Sequence, residues 1–337
     1  MNEVPKPFFS IILAFRNEES FLETCLTSYD EQTLSRDKWE VILVDGCSTD
    51  NSTEIAKNYI TAHSNAKLVI NPNKIATAGW NSGLKVASGK FYHIANAHSV
   101  TDKHFFELAE KILTSNEDID ALGGRIFKVG DDYISNSISE STNQPFAMGG
   151  SYYRIGTKAR KTNVIGQGIY RKKLIDMLGP YDENIKRSGD WEFNYRVNAN
   201  GHLMYFDPRL IVYVYTRANY KSLFVQQFRT GFWKIRVWLK HRKAILPRHF
   251  IPAFFVIWLF LVPFISMVSK TAQLIAVTPL LPYILAAIYS TIKVPKDKTK
   301  WYYVLLTFPV LHIAYGLGFI TGIFRWGWYL LTKKSKK

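Results

Sequence analysis

The run Val41–Thr53 reads Val-Ile-Leu-Val-Asp-Gly-Cys-Ser-Thr-Asp-Asn-Ser-Thr: an apolar strand pattern ending on a carboxylate and passing into a turn. Ser52-Thr53 then opens a helical pattern. In an open α/β sheet, ligands bind beyond the carboxyl ends of the strands. A carboxylate placed there repels a phosphate but accepts hydrogen bonds from a base or a ribose. The run therefore predicts a nucleotide site in which Asp45 meets the nucleoside end. Without a ligand, Asp45 would be a strand-ending cap.

The elements that must position Asp45 are legible on both sides of it. Phe8–Ala14 reads as a buried strand, followed by Arg16-Asn17-Glu18-Glu19 and a helix over 20–29. Trp39–Val44 is the second strand and Ser52–Ala62 the next helix. Lys67–Ile70, Phe91–Ala95 and Ala121–Lys128 read as further strands, with helices over 76–87 and 101–115 between them. Strands alternating with helices predict a mostly parallel, doubly wound sheet.

Beyond about Tyr215 the composition changes. Phe250–Val268, Ala272–Ile292 and Tyr302–Phe324 contain no charged residue. Each is close to the roughly 20 residues that cross a hydrocarbon core. Trp301 and Tyr302 flank the last segment on one side, and Arg325, Trp326, Trp328 and Tyr329 on the other, as in an interfacial belt. Pro279, Pro282 and Pro309 interrupt two of the three segments, and Gly318 and Gly322 have the spacing of close helix packing. Buried helices of a soluble domain are the weaker alternative, because the three runs are almost consecutive. Orientation is in conflict: Lys293, Lys296, Lys298 and Lys300 favour the inside, as do Lys333, Lys334, Lys336 and Lys337. Three simple crossings cannot satisfy both. Tyr220–Arg242 is rich in Phe, Trp, Lys and Arg, with Leu223, Phe224, Phe228, Phe232, Ile235 and Leu239 on one helical face. It predicts a basic amphipathic helix on an anionic leaflet.

A chain of 337 residues with net charge +16 suits nucleic acid, an anionic membrane or anionic substrates. The adjoining apolar segments favour the last two over nucleic acid. Cys25 and Cys47 form no metal or disulfide pattern. Phe8–Phe15 is too short for a secretory signal, so the N-terminal part is expected in the cytosol.

Several stretches together carry a resemblance. Ser10–Glu19, Val41–Ser52, Ala78-Gly-Trp-Asn-Ser-Gly83, Gly166–Glu183, Asp190-Trp-Glu-Phe-Asn-Tyr-Arg196 and Gln226–Trp233 stand in the order seen in family 2 glycosyltransferases. The chain resembles the membrane-attached branch that includes succinoglycan-type exopolysaccharide glucosyltransferases. The resemblance implies a GT-A fold, which is Rossmann-like with a mostly parallel central sheet. An interfacial amphipathic helix and C-terminal transmembrane helices follow. The expected division is 1–218 for the GT-A domain, 219–248 for the amphipathic helix, 249–330 for the membrane region and 331–337 for a basic tail.

The resemblance also implies roles. Glu18, Asp45, Asn81, Asn96 and His98 would bind the nucleotide sugar. Asp190 would be the catalytic base of an inverting displacement; the bare alternative is a helix N-cap. Glu192, Arg196, Gln226, Arg229 and Trp233 would lie on the acceptor or diphosphate side. The family's Asp-x-Asp metal motif reads Asn96-Ala97-His98 here, and Gly189 replaces the Glu that usually precedes the base. Hard cations prefer carboxylate oxygens. A Mn²⁺ or Mg²⁺ ion at Asn96 and His98 is therefore expected to be weakly held, or His98 and nearby basic residues carry the leaving-group charge instead. The implied activity moves a sugar, expected to be UDP-linked, to a lipid-linked saccharide at the cytosolic face of a membrane, expected to be the bacterial inner membrane. A polyprenyl-phosphate acceptor and a non-catalytic scaffold are the alternatives.

Overall fold

The computed structural model describes residues 6–149, 151–216 and 219–334. The chain forms two compact units. One comprises Met1–Phe127 and Tyr152–Tyr215, the other Lys128–Ser151 and Thr216–Lys337.

The first unit is built on a sheet of nine strands among the described residues. In chain order these are β1 (Phe9–Phe15), β2 (Trp39–Asp45), β3 (Ala66–Ile70), β4 (Phe91–Asn96), β5 (Ser99–Thr101), β6 (Ala121–Val129), β7 (Arg160–Lys161), β8 (Ile169–Arg171) and β9 (Met204–Tyr215). The spatial order is β3-β2-β1-β4-β8-β6-β9-β5, with β7 on β9. β1 pairs in parallel with both β2 and β4, and β2 with β3. The pairings β4–β8, β6–β8, β5–β9 and β7–β9 are antiparallel. The parallel half matches the alternation in the sequence. β5, β7, β8 and β9 are additions: the first three have at most three residues, too short for a periodic signal.

β1 and β2 bury almost every residue, as strands covered on both faces must. One core face gathers Phe9, Ile11, Leu13, Leu43, Phe91 and Phe106, and the other Ile12, Ile42, Val44, Tyr92, Ile94 and Phe193. The helix expected from residue 101 begins instead at Phe105. Thr101 belongs to β5, where it pairs with Val212, and only after Asp102 does the chain turn into the helix.

In the second unit, three helical spans are long and apolar enough to cross a membrane: Pro247–Ser266, Lys270–Ile292 and Trp301–Trp328. Their large apolar side chains are widely exposed, including Phe254, Phe260, Phe264, Leu274 and Leu285. Exposure on that scale is expected of helices bathed in lipid. The prolines act differently. Pro279 separates the helix Lys270–Val277 from Leu280–Ile292, whereas Pro309 lies inside the continuous helix Trp301–Lys334. Of the expected basic tail, Lys336 and Lys337 lie outside the described residues.

The expected amphipathic helix forms over Tyr220–Lys240. It buries Leu223, Gln227, Gly231, Lys234, Ile235 and Val237, so one of its expected surface cations, Lys234, is inside. Its partner is the helix Trp301–Lys334. A Cβ at Gly231 would stand 2.2 Å from the Tyr315 carbonyl oxygen, and one at Gly318 would stand 1.9 Å from that of Phe228. Gly322 meets Phe232 in the same way. Backbones this close admit no side chain, which is how small residues hold helices together without a hydrophobic driving force.

Gly318→Leu should therefore separate these helices. Against backbone atoms that cannot move aside, the loss should reach about 3 kcal/mol, the upper range for overpacking. Thermal melts in detergent should show a lower midpoint for Gly318→Leu and little change for Gly327→Leu, where a Cβ meets nothing within 4 Å.

Candidate active site

The strand order changes direction at β1, which has β2 on one side and β4 on the other. Such a switch point opens a crevice at the carboxyl ends of the strands. The loops that follow β1, β2 and β4 enter it, and they are tied to one another. Asn17 and Cys47 take left-handed backbone angles, φ 54° and 56°. The Asn17 N–H donates to Ser48 Oγ at 3.1 Å, and its amide oxygen accepts from the Thr49 N–H at 2.8 Å. Glu18 N–H donates to Ser52 Oγ at 2.8 Å. Glu19 accepts from the Asn51 N–H, while its own N–H donates to Asp50.

Asp45 closes β2 and is buried. One carboxylate oxygen accepts from Ser48 N–H at 2.9 Å and Ser48 Oγ at 2.7 Å; the other accepts from Thr53 Oγ1 at 2.7 Å. These three bonds leave acceptor capacity on the second oxygen. They also hold the turn that the Gly-Cys-Ser-Thr run predicted.

Across the crevice, the register sets Asn96 beside Ala14 at the end of β4. His98 follows, and its Nδ1 lies 3.6 Å from Glu18 Oε1. That nitrogen is shielded from solvent and makes no hydrogen bond. Glu18, Asn96 and His98 are thus neighbours at one switch point. Cys25 lies beneath, its Sγ 3.6 Å from the Asn96 carbonyl oxygen. Burial pushes its thiol up to about 12, so it remains protonated and is no nucleophile.

Asp190 is exposed in the first turn of the helix Gly189–Ala199. The helix is pinned to the sheet: Tyr170 Oη donates to Asn194 Oδ1 at 3.0 Å, and the Asn194 amide donates to the Ile165 carbonyl at 2.8 Å. Burial, with the Asp190 charge adding to it, holds the Tyr170 and Tyr181 hydroxyls above their ordinary range. The glycine before Asp190 has a steric reason. A Cβ at position 189 would approach Thr77 Cγ2 to 2.4 Å, so the usual Glu does not fit without movement.

Two expected donor and acceptor contacts turn out to be internal braces. Asn81 was expected at the nucleotide sugar. Its amide instead donates to the Tyr181 carbonyl and to Glu183, both at 2.9 Å, and its oxygen accepts from Tyr181 N–H at 2.9 Å. It holds the turn Gly179–Glu183. Glu192 is fully buried and bidentate with Arg196 Nε at 3.1 Å. The other guanidinium nitrogens of Arg196 donate to the carbonyls of Leu178, Gly179 and Pro180. The pair therefore fixes the same turn, with Glu192 buried and Arg196 half-buried.

Gln226, Arg229 and Trp233 belong to the second unit. Gln226 and Arg229 are exposed on the helix Tyr220–Lys240, and the Trp233 ring packs 5.3 Å from that of Trp326.

The side chains at Asn96 and His98 do not fit a tightly held divalent cation. They offer one neutral amide oxygen and one imidazole, with the Glu18 carboxylate beside them. No group of three or more His, Cys, Asp or Glu side chains converges among the described residues. Gln167 belongs to no motif in the sequence. Its φ of 45° is unusual for a side chain of this size. Its Oε1 accepts from Asn96 N–H at 3.2 Å and from Ser99 Oγ at 3.1 Å, while Nε2 is shielded and unpaired. The only sequence signal was its place between Gly166 and Gly168.

Comparison with known proteins agrees with this geometry. The family described as "Glycosyl transferase family 2" matches residues 10–177. The chain is 27% identical over 333 residues to the dolichyl N-acetyl-alpha-D-glucosaminyl phosphate 3-beta-D-2,3-diacetamido-2,3-dideoxy-beta-D-glucuronosyltransferase of Methanococcus voltae, covering 94% of this chain and 98% of that protein. It is 26% identical over 245 residues to the succinoglycan biosynthesis protein ExoA of Rhizobium meliloti, covering 72% and 73%. Among solved structures, the mannosyltransferase PcManGT of Pyrobaculum calidifontis, in complex with GDP-Man and Mn²⁺, shares the fold with a TM-score of 0.59. It is 16% identical, with 95% of this chain and 88% of that one covered. The chain belongs to glycosyltransferase family 2 and has the GT-A fold.

Proposed function

We propose that this glycosyltransferase moves a sugar from a nucleotide donor to a saccharide carried on a membrane lipid. The observation that carries the reading is the end-to-end match to the Methanococcus voltae enzyme. It extends over the three apolar helices as well as the catalytic unit. That enzyme is named for a dolichyl-phosphate-linked sugar acceptor. An acceptor of this kind, with its sugar in water and its chain in lipid, suits a chain that joins a nucleotide-sugar fold to lipid-facing helices. Nucleotide sugars are made in the cytosol, so the catalytic unit would face that side.

In this reading the nucleoside lies against Asp45, and a UDP-linked sugar is the donor suggested by the family resemblance. The diphosphate would lie toward Asn96 and His98 at the switch point. Asp190 acts as base. The acceptor hydroxyl attacks the anomeric carbon, forming a new C–O bond as the bond to the diphosphate oxygen breaks. The proton passes to the Asp190 carboxylate and the electron pair stays on the diphosphate. Displacement from the opposite face inverts the anomeric centre. Glu192, Arg196 and Asn81 support the site by holding the turn Gly179–Glu183. Gln226, Arg229 and Trp233 are assigned to the acceptor side.

Asp190→Asn removes the base and keeps the shape of the side chain. Sugar transfer to a lipid extract should fall by about 10²-fold or more, the range for loss of general-base catalysis. Binding of the nucleoside diphosphate should be unchanged by calorimetry, and full retention of transfer would refute the assignment. Asn96→Asp should supply the hard oxygen ligand that the wild-type chain lacks. The Mn²⁺ concentration for half-maximal transfer should then fall by about tenfold, a gain near 1.4 kcal/mol. An unchanged Mn²⁺ response would place Asn96 away from the diphosphate.

A further inference from the structure

The third apolar segment stands between two lysine clusters, Lys293 to Lys300 before it and Lys333 to Lys337 after it. Both favour the inner side of a membrane, yet a crossing between them puts one cluster outside. The neighbours of the helix Trp301–Lys334 within its own unit bear on this conflict. The helix Tyr220–Lys240 runs parallel to it and touches it over most of its length. Tyr220 Oη donates to the Tyr303 carbonyl at 2.7 Å, Gly231 lies against Tyr315, and the Arg236 guanidinium stands 5.2 Å from the Trp326 ring. If one of these helices crosses a membrane, so does the other. Arg229, Lys234 and Arg236 interrupt the helix Tyr220–Lys240, and Arg229 is exposed. Cations at the depth of the hydrocarbon are costly, so this helix is not built to cross.

The first half of the helix Trp301–Lys334 has a second polar neighbour, the segment Lys128–Ser151. The Lys300 N–H donates to Ser137 Oγ at 3.2 Å, Ser141 Oγ donates to the Val304 carbonyl at 3.4 Å, and His312 Nε2 lies 3.1 Å from the Phe146 carbonyl oxygen. The same segment holds the start of the first apolar span, where Arg248 Nη1 donates to the Gly149 carbonyl at 3.1 Å. The segment leaves the catalytic unit after Phe127 and rejoins it at Tyr152, whereas two crossings need roughly 40 residues. It therefore stays on the catalytic side. Both ends of the hairpin over 247–292 and the start of the third helix are tied to that side.

The third helix exposes an apolar stripe. Tyr302, Leu306, Leu317, Phe324 and Trp328 return to one helical face, while Val304, Phe308, Ala314 and Phe319 are buried. Its partner helix adds the exposed cations Lys221, Arg229 and Lys240. An apolar stripe accompanied by cations suits the headgroup layer of an anionic bilayer.

We infer that the helix Trp301–Lys334 does not cross the bilayer. It lies along the surface on the catalytic side, paired with the helix Tyr220–Lys240 and with its apolar stripe against lipid. The hairpin over 247–292 enters the hydrocarbon and returns. The C-terminus then shares a side with the catalytic unit, and both lysine clusters lie where they are favoured.

The test makes Lys57→Cys, Lys296→Cys, Lys298→Cys and Lys337→Cys singly in the full chain. A membrane-impermeant maleimide is applied to right-side-out and inside-out vesicles of the expressing cells, and labelling is read above that of the wild type. Exposed Lys57 marks the catalytic side. The other three variants should label from the face that labels Lys57→Cys and lose labelling from the opposite face. Labelling of Lys337→Cys, or of both loop variants, from the opposite face overturns the inference. In vesicles of phosphatidylcholine and phosphatidylglycerol, bimane on Leu317→Cys and Phe324→Cys should be quenched more by a nitroxide near the headgroup than by one near the chain end, and equally at the two sites. Deeper quenching at Leu317→Cys marks a crossing helix, and no quenching at either site places the stripe away from lipid; each result refutes the placement. Thermal melts identify any variant that fails to fold, and the second position in each pair then decides.

Discussion

The site depends on the parallel register of β1 with its two neighbours. Phe15 stands level with Asp45 and Ala14 with Asn96, so the ends of three strands finish on one rim. A slip of one residue would turn every side chain of a strand to its other face. The register is secured because both faces are covered and alternate residues pack into different cores. Once it is set, the loops after β1 and β2 have little freedom. Left-handed angles at Asn17 and Cys47 and the bonds from Asn17, Glu18 and Glu19 to the Ser48–Ser52 turn hold them against each other.

Charge organises the remainder. Family 2 resemblance leads one to expect carboxylates gathered around a cation. This chain instead places a single carboxylate, Glu18, beside an imidazole and an amide. Of the acids nearby, Glu192 is paired with Arg196, while the Asp45 carboxylate is held by hydroxyl and backbone donors.

The helical unit follows a separate logic. Its apolar spans resemble lipid on their outer faces, so burial of apolar surface cannot hold them together. Gly231, Gly318 and Gly322 let two helices touch backbone to backbone, where dispersion is strongest. Tyr283 and His312 add a hydrogen bond at 2.9 Å between two spans.

The sequence by itself determined the parallel strands, the turn after Asp45, the three apolar segments and the glycine spacing at 318 and 322. These are local signals: unbroken apolar runs, turn-forming residues and absence of charge over a membrane's width. It also pointed to the departure at Asn96-Ala97-His98. Only the tertiary structure decided where side chains far apart in the chain meet. Asn81 proved to brace a turn one hundred residues away, because its amide fits the backbone of Tyr181. Glu192 proved to be buried against Arg196, and Lys234 to be buried rather than on the surface of its helix. Gln167 carried no motif. Its place comes from the bonds it makes to Asn96 and Ser99 in a folded interior, and a linear sequence does not state which polar atoms lose their water.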